Sequence, residues 1–152
     1  MLNFRHSVNH MIVIAHDIRS LHNIGSIFRN AAAFGIEKLY LTGFTETPPR
    51  KEIAKVALGA QDLVAWEKVG IKDLISNLKD NGYEVWGLET GEDAVSIEEL
   101  KDKKLALVLG NEVEGIDKET IKLLDGIAEI PMKKKKSLNV SVASGIAMFV
   151  LS

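Results

Sequence analysis

Apolar and polar positions divide the chain into short, sharply bounded pieces. Met11–Ala15 and Leu105–Leu109 are unbroken apolar runs, the pattern of strands covered on both faces. Between Asn23 and Phe34 the apolar residues Ile24, Ile27, Phe28, Ala31 and Ala32 recur at helical spacing, and Gly35 follows as a stop. Lys38–Leu41 reads as a second strand, and Glu46–Lys51, with Pro48 and Pro49, as a loop. Glu52–Leu58 predicts a short helix closed by Gly59, and Leu63–Trp66 a third strand. Lys72–Asn81 is helical and stops at Gly82; Glu84–Leu88 is the fourth strand and Leu105–Leu109 the fifth. Lys118–Leu124 predicts a helix, Ala128–Ile130 a sixth strand, and Asn139–Leu151 the last helix.

Strands thus alternate with helices, and several strands are almost wholly apolar. That combination predicts an α/β fold with a parallel sheet covered on both sides. Ligands of such sheets bind beyond the carboxyl ends of the strands. The segments there are Thr42–Thr47, Glu89–Asp93, Gly110–Ile116 and Pro131–Asn139.

The 152 residues suit one domain spanning 1–152. The longest apolar runs fall far short of the roughly 20 residues a bilayer span needs. MLNFRHSVNH lacks a secretory pattern. The absence of cysteine excludes disulfides, thiolate zinc sites and a cysteine nucleophile. A cytoplasmic location is expected. His6 and His10 stand four apart, but no carboxylate completes a zinc motif, so no metal is expected. No glycine-rich nucleotide fingerprint and no G-x-S-x-G are present.

Charge is unevenly spread. Residues 1–60 hold 7 basic and 4 acidic side chains, 61–130 hold 8 and 17, and 131–152 hold 4 and none. A fold that joins the two ends would own a basic face suited to phosphates; otherwise these charges are solvated surface.

Three segments could carry chemistry. In Asn23-Ile24-Gly25-Ser26-Ile27-Phe28-Arg29, Asn23 can cap a helix, Gly25 permits close approach, and Arg29 follows within two turns. That is either an anion site or a capped helix with a solvated arginine. In Leu109-Gly110-Asn111-Glu112-Val113-Glu114-Gly115, two glycines bracket two carboxylates just after a strand. Such a turn suits a ligand that is neutral or cationic on that side. In Ile130-Pro131-Met132, Lys133–Lys136, then Ser137-Leu138-Asn139-Val140-Ser141-Val142-Ala143, a tetralysine loop precedes a helix that Ser137 or Asn139 can cap. The small residues Ser141, Ala143, Ser144, Gly145 and Ala147 allow close packing on that helix. Ile146, Phe149, Val150 and Leu151 add apolar surface, against its own domain or a partner subunit.

Taken together, in this order, N-x-G-x-x-x-R, L-G-N-E-x-E-G and I-P-M…S-L-N-V-S-V-A closely resemble the three motifs of the SpoU (TrmH-type) RNA 2′-O-ribose methyltransferases of the SPOUT superfamily. The likeness runs from Ile12 to the last helix. It implies an α/β knot, a deep trefoil in which the carboxyl segment threads a loop of the sheet. It also implies S-adenosylmethionine as methyl donor, with S-adenosylhomocysteine as product, and a homodimer through the first and last helices. The substrate implied is RNA, transfer RNA ahead of ribosomal RNA; an accessory protein is an open possibility.

By position, the resemblance assigns Arg29, Asn23, Glu112, Ser137 and Asn139 as the functional polar residues, and Leu88, Glu89, Thr90, Gly110, Ile130, Met132 and Leu138 as cofactor contacts. Arg19, Arg29 and Lys133, Lys134, Lys135 and Lys136 are the RNA-contact candidates. A guanidinium stays protonated in proteins, so the role expected of Arg29 is to clamp a phosphate and polarise the ribose hydroxyl. Two departures from the family pattern stand out. The tetralysine loop occupies a place where relatives often carry glycine, and no extra RNA-binding domain is expected. The competing readings are a base methyltransferase on the same fold and a cofactor- and RNA-binding protein without catalysis.

Overall fold

A computed structural model describes residues 10–152. His6 lies outside the described residues. Among the described residues seven parallel strands form one sheet: β1 (Ile12–His16), β2 (Lys38–Thr42), β3 (Trp66–Lys68), β4 (Glu84–Leu88), β5 (Val95–Ser96), β6 (Leu105–Leu109) and β7 (Gly126–Glu129). Among the described residues five α-helices accompany them: α1 (Leu21–Ala33), α2 (Lys51–Ala57), α3 (Ile71–Asp80), α4 (Lys118–Ile121) and α5 (Val140–Leu151). The strand order is β3-β2-β1-β6-β4-β7-β5. The chain walks outward from β1 to β3, crosses to β4 and β5, and then inserts β6 between β1 and β4 and β7 between β4 and β5.

The apolar runs of β1 and β6 are continuous because both faces are covered. Val13, Ala15, Leu107 and Leu109 pack with Ile24, Ile27 and Phe28 of α1, Ile53 of α2 and Met148 of α5. Ile12, Ile14, Ala106 and Val108 point the other way, onto Leu74, Ile75 and Leu78 of α3. In register, Ala15 stands beside Leu109 and Leu109 beside Leu88, which stands beside Ala128. The loops leaving β1, β4, β6 and β7 therefore emerge together at one edge.

Gly25 has a packing cause. A Cβ there would lie 2.6 Å from the Ile53 carbonyl oxygen and 2.9 Å from Val56 Cβ. Its bare backbone lets α1 lie directly on α2.

Several boundaries differ from the sequence reading. Helix α1 begins at Leu21, and its cap is Ser20, whose Oγ accepts from the Asn23 amide at 3.1 Å. Asn23 is thus not the cap; it is a buried residue of the first turn. The third strand is Trp66–Lys68 rather than Leu63–Trp66; a 3-10 turn at Ala60–Asp62 precedes it and Leu63 is 79% exposed. The two-residue β5 carries no periodic signal. The helix expected over Lys118–Leu124 is one turn of α, and β7 lies at Gly126–Glu129 rather than Ala128–Ile130. No helix among the described residues is long and apolar enough to cross a membrane.

Candidate functional site

The loops after β4, β6 and β7 enclose a cleft of about 220 Å³, closed on its last side by the start of α5. Leu88, Glu89 and Thr90 line it from the first loop, Gly110 and Glu112 from the second, and Ile130, Met132, Lys136, Ser137, Leu138 and Asn139 from the third. Every residue expected to touch a cofactor therefore lines one cavity, although whole strands and helices separate the three segments along the chain. Apolar side chains share its lining with the acidic Glu89, Glu112 and Glu129 and the basic Lys136.

The turn from Gly110 to Gly115 is rigid for reasons the sequence carries. Asn111 and Gly115 exchange backbone hydrogen bonds at 3.1 and 2.9 Å. The Asn111 Oδ1 accepts from the amides of Val113 and Glu114, both at 3.0 Å, and its Nδ2 donates to the Asp17 carbonyl at 2.9 Å. Gly115 has φ of +71°, and a Cβ on it would fall against the Glu89 carboxylate; a side chain is excluded by both conformation and space. A Cβ on Gly110 would lie 2.6 Å from the Ile116 nitrogen. Glu89 then accepts from the Ile116 amide at 2.8 Å, tying the first loop to the second.

Glu112 has a structural task besides any chemistry. Its two carboxylate oxygens accept from the amides of Arg19 at 2.9 Å and Ser20 at 3.2 Å. A carboxylate thus sits at the amino end of α1, where free N–H groups and the helix dipole favour it. Asn139 caps α5, its Oδ1 accepting from the Ser141 amide at 2.8 Å and from Ser141 Oγ at 2.6 Å. Ser137 lines the cleft and is not the cap.

Arg29, Asn23 and Arg19 do not line the cleft. Arg29 is exposed on α1 and borders a separate depression between α1 and α5, with Ser26, Val56, Ile146 and Phe149. Around it the surface is apolar: Val142 is 50% and Phe149 71% exposed, and Phe149 leans on Phe34 with ring centroids 5.9 Å apart. Within one chain, then, the expected catalytic arginine is not joined to the cofactor residues. Lys133, Lys134 and Lys135 are exposed outside the cleft, and only Lys136 reaches it.

Beside the cleft, the buried His16 joins three elements. Its Nδ1 lies 2.8 Å from Thr42 Oγ1 and its Nε2 3.1 Å from an Asp117 oxygen. Asp17 completes a group of three side chains close enough to share a cation. Each is already employed: Asp117 caps α4 through Thr120, and Asp17 accepts from the Phe44 amide. Burial alone would raise the Asp117 carboxyl, but hydrogen bonds from Thr120 and His16 outweigh it and hold the group below its usual value. The arrangement is a latch between β1, β2 and α4. Asn111 and Asn30 are the site residues that sequence reasoning misses. Asn111 has a signal, a side chain between a strand-ending glycine and a turn; Asn30 has none, because its partners lie more than a hundred residues away.

A parallel α/β sheet with its cleft among the loops at the carboxyl ends defines a class of ligand-binding fold. Residues 10–149 match the SpoU rRNA Methylase family, and the chain belongs to that family. It is 32% identical over 143 residues to the 23S rRNA (guanosine-2′-O-)-methyltransferase of Vibrio parahaemolyticus, an alignment covering 91% of this chain and 57% of that protein. It is 33% identical to an uncharacterized tRNA/rRNA methyltransferase of Borreliella burgdorferi, covering 96% of this chain and 65% of that one. The chain thus spans less than two thirds of the length of these curated relatives. Among solved structures, the A. aeolicus TrmH/SpoU tRNA modifying enzyme superposes with a TM-score of 0.83 at 30% identity, over 93% of this chain and 73% of that one. An rRNA methyltransferase from Sinorhizobium meliloti, solved with AdoMet bound, gives a TM-score of 0.84 at 26% identity, covering 92% and 54%.

Proposed function

We propose that this chain transfers a methyl group from S-adenosylmethionine to a ribose 2′-hydroxyl of RNA, with transfer RNA the first substrate and ribosomal RNA the second. The observation that carries the reading is the convergence of three distant segments on one cleft, in a chain of the SpoU family. The cleft fits the cofactor by its chemistry. Leu88, Ile130 and Leu138 offer apolar walls to a purine, and Glu89, Glu112 and Glu129 offer carboxylates to a cationic ligand. Gly110 and Gly115 let the turn beside the cleft close on Ile116 and Glu89, where a Cβ would collide. Bound there, S-adenosylmethionine supplies an electrophilic methyl on a sulfonium and is released as S-adenosylhomocysteine.

The chain's own residues do the rest. A ribose hydroxyl is a weak nucleophile, so alignment and partial removal of its proton set the rate. Asn139 and Ser137, at the rim, orient the ribose or the arginine that meets it. Arg29 remains charged, clamps the phosphate beside the target and polarises the 2′-hydroxyl, whose proton leaves to that phosphate or to water. Glu112 holds the α1 entry and presents the remaining carboxylate lone pairs to the cleft.

The reading requires a second copy of the chain. Arg29 lies on the apolar α1–α5 surface, away from its own cleft. Pairing these surfaces across a two-fold axis buries Val142, Ile146 and Phe149 and carries Arg29 toward the partner's Asn139. The same reading includes a trefoil knot, which is supported by the insertion of β6 and β7 between strands already laid down.

The test is transfer of tritiated methyl into bulk transfer and ribosomal RNA, followed by alkaline hydrolysis. A 2′-O-methyl group blocks cleavage at its own phosphodiester, so label is expected in alkali-stable dinucleotides. Label in mononucleotides defeats the ribose assignment, and measurable cofactor binding with no label in any RNA defeats catalysis. Mixing Arg29→Ala with Asn139→Ala protein, each left with only a small residual rate alone, restores about a quarter of the wild-type sites if the arginine acts across a two-fold interface. A mixture that stays inactive would put Arg29 outside the partner's site.

A further inference from the structure

Asn30, the neighbour of Arg29 on α1, faces α5. Its Nδ2 donates to the Ser141 carbonyl at 2.9 Å and to Ser144 Oγ at 3.2 Å. Ser144 Oγ, fully buried, itself donates to the Ser141 carbonyl at 2.8 Å. The Ser141 carbonyl therefore takes two side-chain donors. The same residue holds Asn139 from its other end, through its amide and its hydroxyl. Space has been kept for this contact, because a Cβ on Gly145 would stand 3.2 Å from Asn30 Nδ2.

We infer that Asn30 is a positioning residue: through Ser141 it fixes Asn139 so that the Asn139 amide group points its N–H bonds into the cleft. Three observations carry this. The Asn139 Oδ1 is held twice by Ser141, which leaves Nδ2 as the donor end of a side chain lining the cleft. Asn30 holds Ser141 at the carbonyl and Ser144 at the hydroxyl, so α5 cannot rotate against α1 without breaking two hydrogen bonds. And α1 bears both Arg29 and Asn30, so one helix sets a guanidinium on the α1–α5 surface and braces the start of α5 with the next side chain. An asparagine suits the task because its amide donates two hydrogens in a fixed plane. An aspartate in its place could not do this, since a carboxylate would face the Ser141 carbonyl with no hydrogen to give.

The inference rests on the proposed methyl transfer for its kinetic consequence, but not for its geometry. Asn30→Leu keeps the volume at the α1–α5 contact and removes the donor; Asn30→Asp keeps the shape and reverses the hydrogen-bonding sense. Both are expected to lower kcat by about tenfold or more, as small misplacements of reacting groups do, with S-adenosylmethionine affinity within about twofold of wild type. If Asn30 acts through Asn139, then Asn30→Leu in an Asn139→Ala background costs little further activity, a non-additive cycle. Independently of activity, three-bond couplings of the Asn139 side chain are expected to report one χ1 rotamer in the wild type and rotamer averaging in Asn30→Leu. Additive losses, or a single Asn139 rotamer in both proteins, overturn the inference. A wild type that methylates no RNA would sink the proposed function while leaving the rotamer measurement to decide the role of Asn30.

Discussion

Replacing Gly25 by alanine separates two explanations of the glycine in N-x-G-x-x-x-R. If the glycine makes room for a ligand, an added methyl blocks binding and leaves stability alone. The geometry says otherwise. The new Cβ would sit 2.6 Å from the Ile53 carbonyl oxygen, 2.9 Å from Val56 Cβ and 3.2 Å from the Ala57 nitrogen. Two of these are backbone atoms of α2 and cannot swing aside, so the helices must part by roughly half an ångström or more. Overpacking of this kind costs about 1–3 kcal/mol, while alanine in a helix regains about 0.5–1 kcal/mol over glycine. The net expectation is a destabilisation of up to about 2.5 kcal/mol, or a fall in Tm of up to about 10 °C for a chain of this size. Urea unfolding at equilibrium reads the first figure and calorimetry the second. Methyl transfer should fall more than cofactor affinity, because α1 carries Arg29 and Asn30 and does not line the cleft. A Gly25→Ala protein as stable as the wild type, yet unable to bind its ligand, would refute the packing account.

Glu112→Ala removes the acceptor for the Arg19 and Ser20 amides; because the carboxylate is exposed, stability should drop by only about 1 kcal/mol by denaturant titration, while methyl transfer falls much further. The Asp117 carboxyl, with a folded-state pKa below its ordinary 3.8, contributes stability that is present above that value and lost as pH falls through the lowered one; Asp117→Asn should flatten the acid limb of a stability–pH curve and leave the neutral region less affected. Converting Lys133, Lys134 and Lys135 together to alanine should weaken RNA binding and reduce the slope of log K against log salt by up to about 3, with cofactor affinity unchanged; an unaltered slope would mean that these lysines touch no phosphate.

The central strands are legible because burial on both faces leaves an unambiguous apolar run, as in Met11–Ala15 and Leu105–Leu109. The edges are not. β3 presents Glu67 and Lys68 to solvent, so the apolar Leu63–Trp66 stretch draws attention away from the residues that pair. Two-residue β5 has no period to detect. The residues expected around a cofactor fall in one cavity, because they sit at or after the ends of β4, β6 and β7, which stand together in register. Asn23 misleads because a serine three residues earlier performs the capping that asparagine could also perform. Arg29 shows a deeper limit. Spacing along α1 gives its face on the helix but not which cleft, its own or a partner's, that face meets.

The strand order has a consequence for synthesis. The middle of the sheet is occupied by β6, which begins only at Leu105. Until a ribosome has added that segment, one long side of β1 and both sides of β4 have no neighbour, because β7 comes later still. A nascent chain in that state presents three unsatisfied backbone ladders to the crowded cell, one on β1 and two on β4. The late arrival of a five-residue segment, LALVL, closes the one on β1 and one of those on β4 at once, and β7 closes the last.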